Sequence, residues 1–246
     1  MRQWIGFLRS LVIYHNPAMM RTWRRFYCDL LTSDDLAFDV GAHIGNRSRA
    51  MRSAGARVVA IEPQQPFAGF LRRTLPRDVV LAEAAVGRGE RVAAMAVSSR
   101  HPTVSSLQTE FVSGAVEAPG FEHVRWDSTQ RVRVVTLDSL IAQHGLPRYI
   151  KIDVEGYELE VLGGLSQPVE IVSVEFLPGF PQLTYDVIDR LAELGAYRFN
   201  PVQGETGGFL WADWRDGAAV KAWLEGLPAD ATSGDLFARL VPAETP

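Results

Sequence analysis

A single cysteine in 246 residues, Cys28, leaves no partner for an internal disulfide. The chain must therefore hold its fold by burial, as proteins of reducing compartments do. No zinc-type partner spacing accompanies Cys28, and its expected role is that of a small buried hydrophobe. Lysine is nearly missing: Lys151 and Lys221 are the only two, so arginine carries almost all the positive charge. We read that bias as genome composition rather than chemistry. A surplus of positive charge is lacking as well. The net charge of −4 argues against a protein that lives on nucleic-acid phosphates. No run is long and apolar enough to span a bilayer.

Apolar residues make up 47% of the chain, enough for a sizeable core in one large α/β domain or one domain with an embellishment. Residues 1–28 carry Arg2, Arg9, Arg21, Arg24 and Arg25, with no acid before Asp29. Arg9 interrupts the opening apolar run and no small-residue cleavage site follows, so the start is expected to be mature protein. Trp4, Leu8, Leu11 and Val12 recur at helical spacing. Such a basic amphipathic helix can lie on anionic lipid, but packing on the core or capping a pocket is the preferred reading. The expected organisation is an N-terminal basic helical segment over 1–34, an α/β domain over 35–228 and a C-terminal tail over 229–246. The expected location is cytoplasmic, with peripheral membrane contact as the alternative.

Strand-like and helical segments alternate along most of the chain. Leu36 to Val40 reads as a strand ending in glycine, Asn46 to Ala54 as a helix, Arg57 to Ile61 as a second strand and Gln65 to Leu75 as a second helix. Val79 to Ala82 supplies a third strand. Such alternation means βαβ units and a parallel sheet. The pattern breaks after Gly87: Arg91 to Val97 and Arg131 to Val135 read as strands on either side of a Ser-, Gly- and Pro-rich stretch. We expect residues 98–130 to be an inserted lid over the mouth of the sheet, facing the acceptor. Alternation resumes with Leu137 to His144, Tyr149 to Asp153, Glu158 to Leu165, Ile171 to Glu175 and Tyr185 to Leu194. Tyr197 to Asn200 and Gly208 to Trp211 are expected to form an antiparallel pair at the sheet edge.

Three clusters carry chemistry. Gly41 and Gly45 flank the first strand-to-helix turn, where absent side chains let backbone approach a ligand. The spacing is Gly-x-x-x-Gly, not the Gly-x-Gly-x-x-Gly of a dinucleotide site. Asp39 just before it suits a ligand's ammonium group and repels pyrophosphate. Glu62 ends the second strand about twenty residues on, where an acid accepts hydrogen bonds from ribose hydroxyls. The third cluster is Ile150-Lys151-Ile152-Asp153-Val154-Glu155-Gly156-Tyr157-Glu158. There Asp153 and Glu155 would sit beside the reactive end of a cofactor if the first strand and this one are neighbours. Glu158 is explained by helix N-terminal electrostatics alone.

Phe38-Asp39-Val40-Gly41-Ala42-His43-Ile44-Gly45-Asn46, Glu62-Pro63, Val135-Thr136-Leu137-Asp138-Ser139-Leu140 and Ile150 through Glu158 together resemble the FkbM family of methyltransferases. The resemblance runs from about Leu36 to Glu175, and more loosely towards Asn200. It implies a Rossmann-like class I methyltransferase fold: a mostly parallel seven-stranded sheet flanked by helices, with an antiparallel edge strand and an inserted hairpin or lid. It implies S-adenosylmethionine as cofactor and O-methylation of a sugar or natural-product hydroxyl. The cofactor set it implies is Asp39 and Gly41 at the methionine portion, with Ala42, His43, Gly45 and Asn46 of the same turn, Glu62 at the ribose, Glu83, Ala84 and Ala85 at the adenine edge, and Asp153 at the sulfonium. His43 stands where the family more often has asparagine, and the basic N-terminal segment has no clear match.

An alkyl hydroxyl loses its proton as the new bond forms, and Glu155 and Asp153 are the candidate bases, with His101 third. His144 ends a helix on the wrong side of the sheet and reads as structural. Asp153 and Glu175 end successive strands and would suit a shared divalent cation, but two acids without a third ligand assign no metal. The alternatives are a nicotinamide oxidoreductase, disfavoured by the glycine spacing, a non-catalytic binding module, disfavoured by the acids near Asp153, and an RNA methyltransferase, at which Arg125, Trp126, Arg131 and Arg133 hint. A saccharide or small-molecule acceptor and no nucleic acid are the expected partners.

Overall fold

The computed structural model describes residues 16–98, 105, 107 and 125–242. Helix α1 (Pro17–Leu30) leads into β1 (Leu36–Val40), α2 (Asn46–Ser53), β2 (Arg57–Ile61), α3 (Phe67–Thr74) and β3 (Val80–Ala82). Three strands follow: β4 (Ala85–Val86), β5 (Arg91–Val97) and β6 (Ser128–Val135). The remainder runs α4 (Leu137–His144), β7 (Tyr149–Ile152), α5 (Glu158–Leu162), β8 (Ile171–Phe176), α6 (Pro181–Leu194), β9 (Tyr197–Gln203), α7 (Gly217–Glu225) and β10 (Gly234–Leu240). Seven strands form one sheet in the order β3-β2-β1-β7-β8-β10-β9, and β4-β6-β5 form a second, smaller one. Every neighbouring pair from β3 to β8 is parallel, and β10 is antiparallel to both β8 and β9. The parallel sheet expected from the alternation is found, and with it the Rossmann-like seven-stranded order and antiparallel edge that the family resemblance implied.

Strand alternation sorts the side chains. Phe38 and Val40 of β1 point to one core, with Ile150, Ile152, Val172 and Val174. Ala37, Tyr149, Ile171 and Phe237 point to the opposite core, beneath α1 and α2. By the same period, Asp39, Lys151, Ser173 and Asp235 lie on the α1/α2 face. Registry sets Asp39 beside Lys151 and Lys151 beside Ser173, with Asp235 beside Glu175. All four of the first group are buried, so a polar row crosses an otherwise apolar layer and requires internal partners.

Helix α1 packs on this face through Trp23, Phe26, Tyr27 and Leu30. Phe26 meets Phe209 and Phe237 edge-on at 5.2 and 5.1 Å, and Tyr27 lies 5.8 Å from Tyr149. This part of the N-terminal segment belongs to the core; Trp4, Leu8, Leu11 and Val12 lie outside the described residues. Cys28 corrects an expectation: it is exposed, on the side of α1 away from the buried aromatic stripe.

Three segments depart from the sequence reading. Residues 234–240, expected within a tail, form β10 between β8 and β9. Gly208 to Trp211 is not a strand. It runs beside β9, donating Leu210 N–H to Pro201 O and Trp211 N–H to Asn200 Oδ1. The antiparallel edge exists, made by β10 and β9. Finally, β6 starts at Ser128, inside the span expected to be lid. It pairs antiparallel with β5 from Val97 back to Arg91; of the residues between the two strands, 99–104, 106 and 108–124 lie outside the described residues.

Candidate active site

The chain leaves β1 towards β2 and β3 on one side and returns to β7 on the other, which opens a crevice at the carboxyl ends of the strands. A cavity of about 270 Å³ occupies it, lined among others by Gly41, Asn46, Arg47, Glu62, Asp153 and Glu155. The floor is the turn after β1. Gly41 has φ +80, and a Cβ there would lie 1.9 Å from the carbonyl oxygen of Asp153. Only glycine lets the two strand ends approach so closely. His43 is also left-handed, at φ 51, a conformation in which His and Asn are both enriched. Burial lowers its pKa to about 4, so the ring is neutral.

Glu62 ends β2 and is buried. Its two carboxyl oxygens accept the N–H groups of His43 and Gln64, each at 2.8 Å. Burial outweighs those bonds and raises its pKa to about 7. On the opposite wall, Lys151 donates to Asp153 Oδ2 at 2.8 Å. Burial opposes charge on both partners. Even so, the carboxylates hold Lys151 above its ordinary range, and Lys151 holds Asp153 below its own. Glu155 sits at φ 56 in the following turn, and burial with the nearby Asp153 and Glu158 charges pushes it well up. Glu175 at the end of β8 is pushed up by burial and by Glu155 and Asp153. Glu158 faces inward and braces the turn, accepting Val154 N–H at 3.1 Å and Gly156 N–H at 3.3 Å. Burial lifts it to about 7.

The expected residues therefore divide. Gly41, His43, Asn46, Glu62, Ala84, Ala85, Asp153 and Glu155 come together on the cavity wall. Asp39 points under the floor, because it shares the α1/α2 face with Ala37; Ser48 Oγ donates to it. Ala42 and Gly45 lie behind the turn, and Ala42 is buried. Glu83 faces solvent and is held by Arg72 at 2.7 Å, away from the cavity. Ser105 and Leu107 of the 98–130 insertion line the cavity. His101, the third candidate base, lies outside the described residues. His144 packs against Phe38, ring centroids 6.3 Å apart, and ends α4 ahead of the amino end of β7.

Arg47 was not anticipated. It is 8% exposed, pairs with Asp235 at 3.2 Å and Glu205 at 3.3 Å, and lies over the Trp23 ring. Trp23 Nε1 donates to the same Glu205. Arg47 Nη1 is buried without a hydrogen-bond partner among the described residues, and so is Nε2 of Gln64, another wall residue. The available signal was an arginine in the first turn after the glycine loop, masked by the many other arginines. Tyr157, also on the wall, accepts Arg91 Nη2 at 2.7 Å.

The family model "Methyltransferase FkbM domain" matches residues 39–213. The chain is 30% identical over 152 residues to the hexuronic acid methyltransferase AglP of Haloferax volcanii, covering 59% of this chain and 57% of that protein. It thus spans little more than half the length of that relative. Among solved structures it is similar to a precorrin-6y C5,15-methyltransferase from Geobacter metallireducens, at 14% identity and TM-score 0.43 over 88% of this chain and 87% of that one. It is also similar to an O-methyltransferase from Bacillus cereus in complex with SAH, at 10% identity and TM-score 0.45 over 96% and 90%.

Proposed function

This chain belongs to the FkbM methyltransferase family, and on that premise we propose that it uses S-adenosylmethionine to O-methylate a saccharide or a saccharide-bearing small molecule. The observation that carries the reading is the cavity itself: Glu62 on one wall and Asp153 with Glu155 on the other, across the Gly41 turn. The residues fit the cofactor. Glu62 suits the ribose hydroxyls, the small side chains of Ala84 and Ala85 leave room for a flat base, and Asp153 suits the positive sulfur. The unpartnered Nη1 of Arg47, beside the start of α2, suits the amino-acid carboxylate.

Bound there, the cofactor supplies an electrophilic methyl group. The chain's own work is alignment and proton handling. Asp153 is held anionic by Lys151 and is therefore a weak base. Glu155, whose proton affinity burial raises, is the group placed to take the hydroxyl proton, a contribution of about 10²–10⁴-fold. The saccharide class is supported by the name of the Haloferax relative and by the net charge, which disfavours nucleic acid.

Calorimetry with S-adenosylhomocysteine and NAD in parallel tests the cofactor. Transfer of labelled methyl to a panel of neutral hexoses, hexuronic acids, lipids and RNA tests the acceptor. S-adenosylhomocysteine binding with label on a sugar oxygen is expected. NAD binding alone, or label on RNA, would replace the reading with one of its alternatives.

A further inference from the structure

We propose that Asp153, Glu155 and Glu175 hold a divalent cation at the acceptor side of the cavity. One carboxylate oxygen from each lies within 4.8 Å of the other two. Oxygen ligands bind magnesium or calcium at about 2.0–2.6 Å, so ligands on opposite sides of one ion stand about 4–5 Å apart. Three parts of the fold build the cluster: the end of β7, the left-handed turn after it, and the end of β8. The turn is bent at a non-glycine residue, Glu155, which is unfavourable locally and is found where a side chain must be aimed.

A second observation is independent of the clustering. Glu175 Oε2 is shut off from solvent and has no hydrogen-bond partner among the described residues. Four other acids around the cavity have partners, while Asp39 beneath the floor also leaves its Oδ1 without one among the described residues. Glu62 and Glu158 each accept two backbone N–H groups, Asp153 has Lys151, and Asp235 has Arg47. A buried carboxyl oxygen without a donor is destabilising, and a cation shared with Asp153 and Glu155 removes the defect. Neither Lys151 nor Arg47 makes an ion pair with Glu175 among the described residues. The donor set is all oxygen, which selects hard ions such as magnesium, manganese or calcium over zinc or copper.

The role of the ion in catalysis rests on the methyl-transfer reading; its binding does not. An acceptor hydroxyl that joins the coordination shell has a lowered pKa. Its proton passes to the Glu155 oxygen not used as a ligand and on to solvent. The oxygen's electron pair then forms the bond to the methyl carbon as the carbon–sulfur bond breaks, with that pair staying on sulfur.

The test is manganese titration of the EDTA-treated full chain, followed by loss of the free-ion electron paramagnetic resonance signal. The expected result is a single bound ion per chain, displaced by magnesium or calcium. Glu175→Gln should weaken it by at least about tenfold, the lower end of losses seen when a metal site is damaged. Glu155→Gln is the second variant should the first fail to fold. Calorimetry with S-adenosylhomocysteine separates the two claims. Manganese binding without it keeps the ion and overturns the methyltransferase reading, whereas S-adenosylhomocysteine binding with no bound manganese overturns the ion alone. Manganese affinity unchanged in both variants places any ion elsewhere and overturns the assignment.

Discussion

At Gly41 a single missing methyl group decides whether β1 and β7 meet, because a Cβ would lie 1.9 Å from the Asp153 carbonyl. Gly41→Ala should therefore displace the backbone that presents Asp153. The left-handed φ adds about 1–3 kcal/mol of strain. We expect a lower urea midpoint and an S-adenosylhomocysteine affinity reduced by at least about 100-fold, measured by denaturation and calorimetry; unaltered affinity in a folded variant would refute the close approach. At this scale the residues that gather on the cavity wall were largely legible. Glu62, Asp153 and Glu155 were identifiable because strand-end acids next to a glycine turn occupy known places in a βαβ crevice. Asp39 and Glu83 were not placed correctly, since which face a strand-end residue takes depends on registry with neighbours distant in sequence. Glu83 lies one residue past β3, and that single step turns it to solvent and to Arg72.

Helix α1 is the element whose contribution is best isolated. Trp23 is 1% exposed, and it connects the helix to Arg47 and Glu205 at the cavity. Trp23→Ala removes a fully buried aromatic, typically worth about 3–5 kcal/mol, and leaves Arg47 without its platform. The expected outcome is that loss of stability by chemical denaturation, accompanied by weaker cofactor binding in whatever fraction folds. Loss of stability with full affinity would show that Arg47 is held well enough by its two carboxylates. The elements were legible in proportion to their local signal. Strands β1, β2, β7 and β8 are short apolar runs bounded by turns, and β6 alternates exposed and buried residues. Strand β10 was missed because Asp235 to Ala238 is buried without interruption, so it shows no period. Its two partners are also set by pairing over long separations. Gly208 to Trp211 resembled a strand because Phe209, Leu210 and Trp211 are consecutive apolar residues; two of its backbone N–H groups do reach β9.

For the whole molecule, the acids in and around the cavity set a pH dependence. Glu62 and Glu158 both stand near 7 in the fold, above the ordinary glutamate value of about 4.3. The folded state therefore binds these protons more tightly than the unfolded chain. Their stabilising effect is complete below the unfolded pKa and is lost as pH rises through about 7, by up to about 3 kcal/mol for each group. Asp153, shifted down by Lys151, acts in the opposite sense but at lower pH. The urea midpoint of the ligand-free protein should fall between pH 5 and 8, and Glu62→Gln should flatten that fall while weakening S-adenosylhomocysteine binding. A flat midpoint across this range would count against the burial of these carboxyls.

The order of synthesis imposes a further constraint on the same molecule. Strand β10 lies between β8 and β9 but leaves the ribosome after both. Until residues 234–240 emerge, the nascent sheet has two unpaired edges facing an empty slot, and such edges invite pairing with other chains. Closure of the sheet is thus a late event, and protection of the unfinished chain falls to chaperones or to speed.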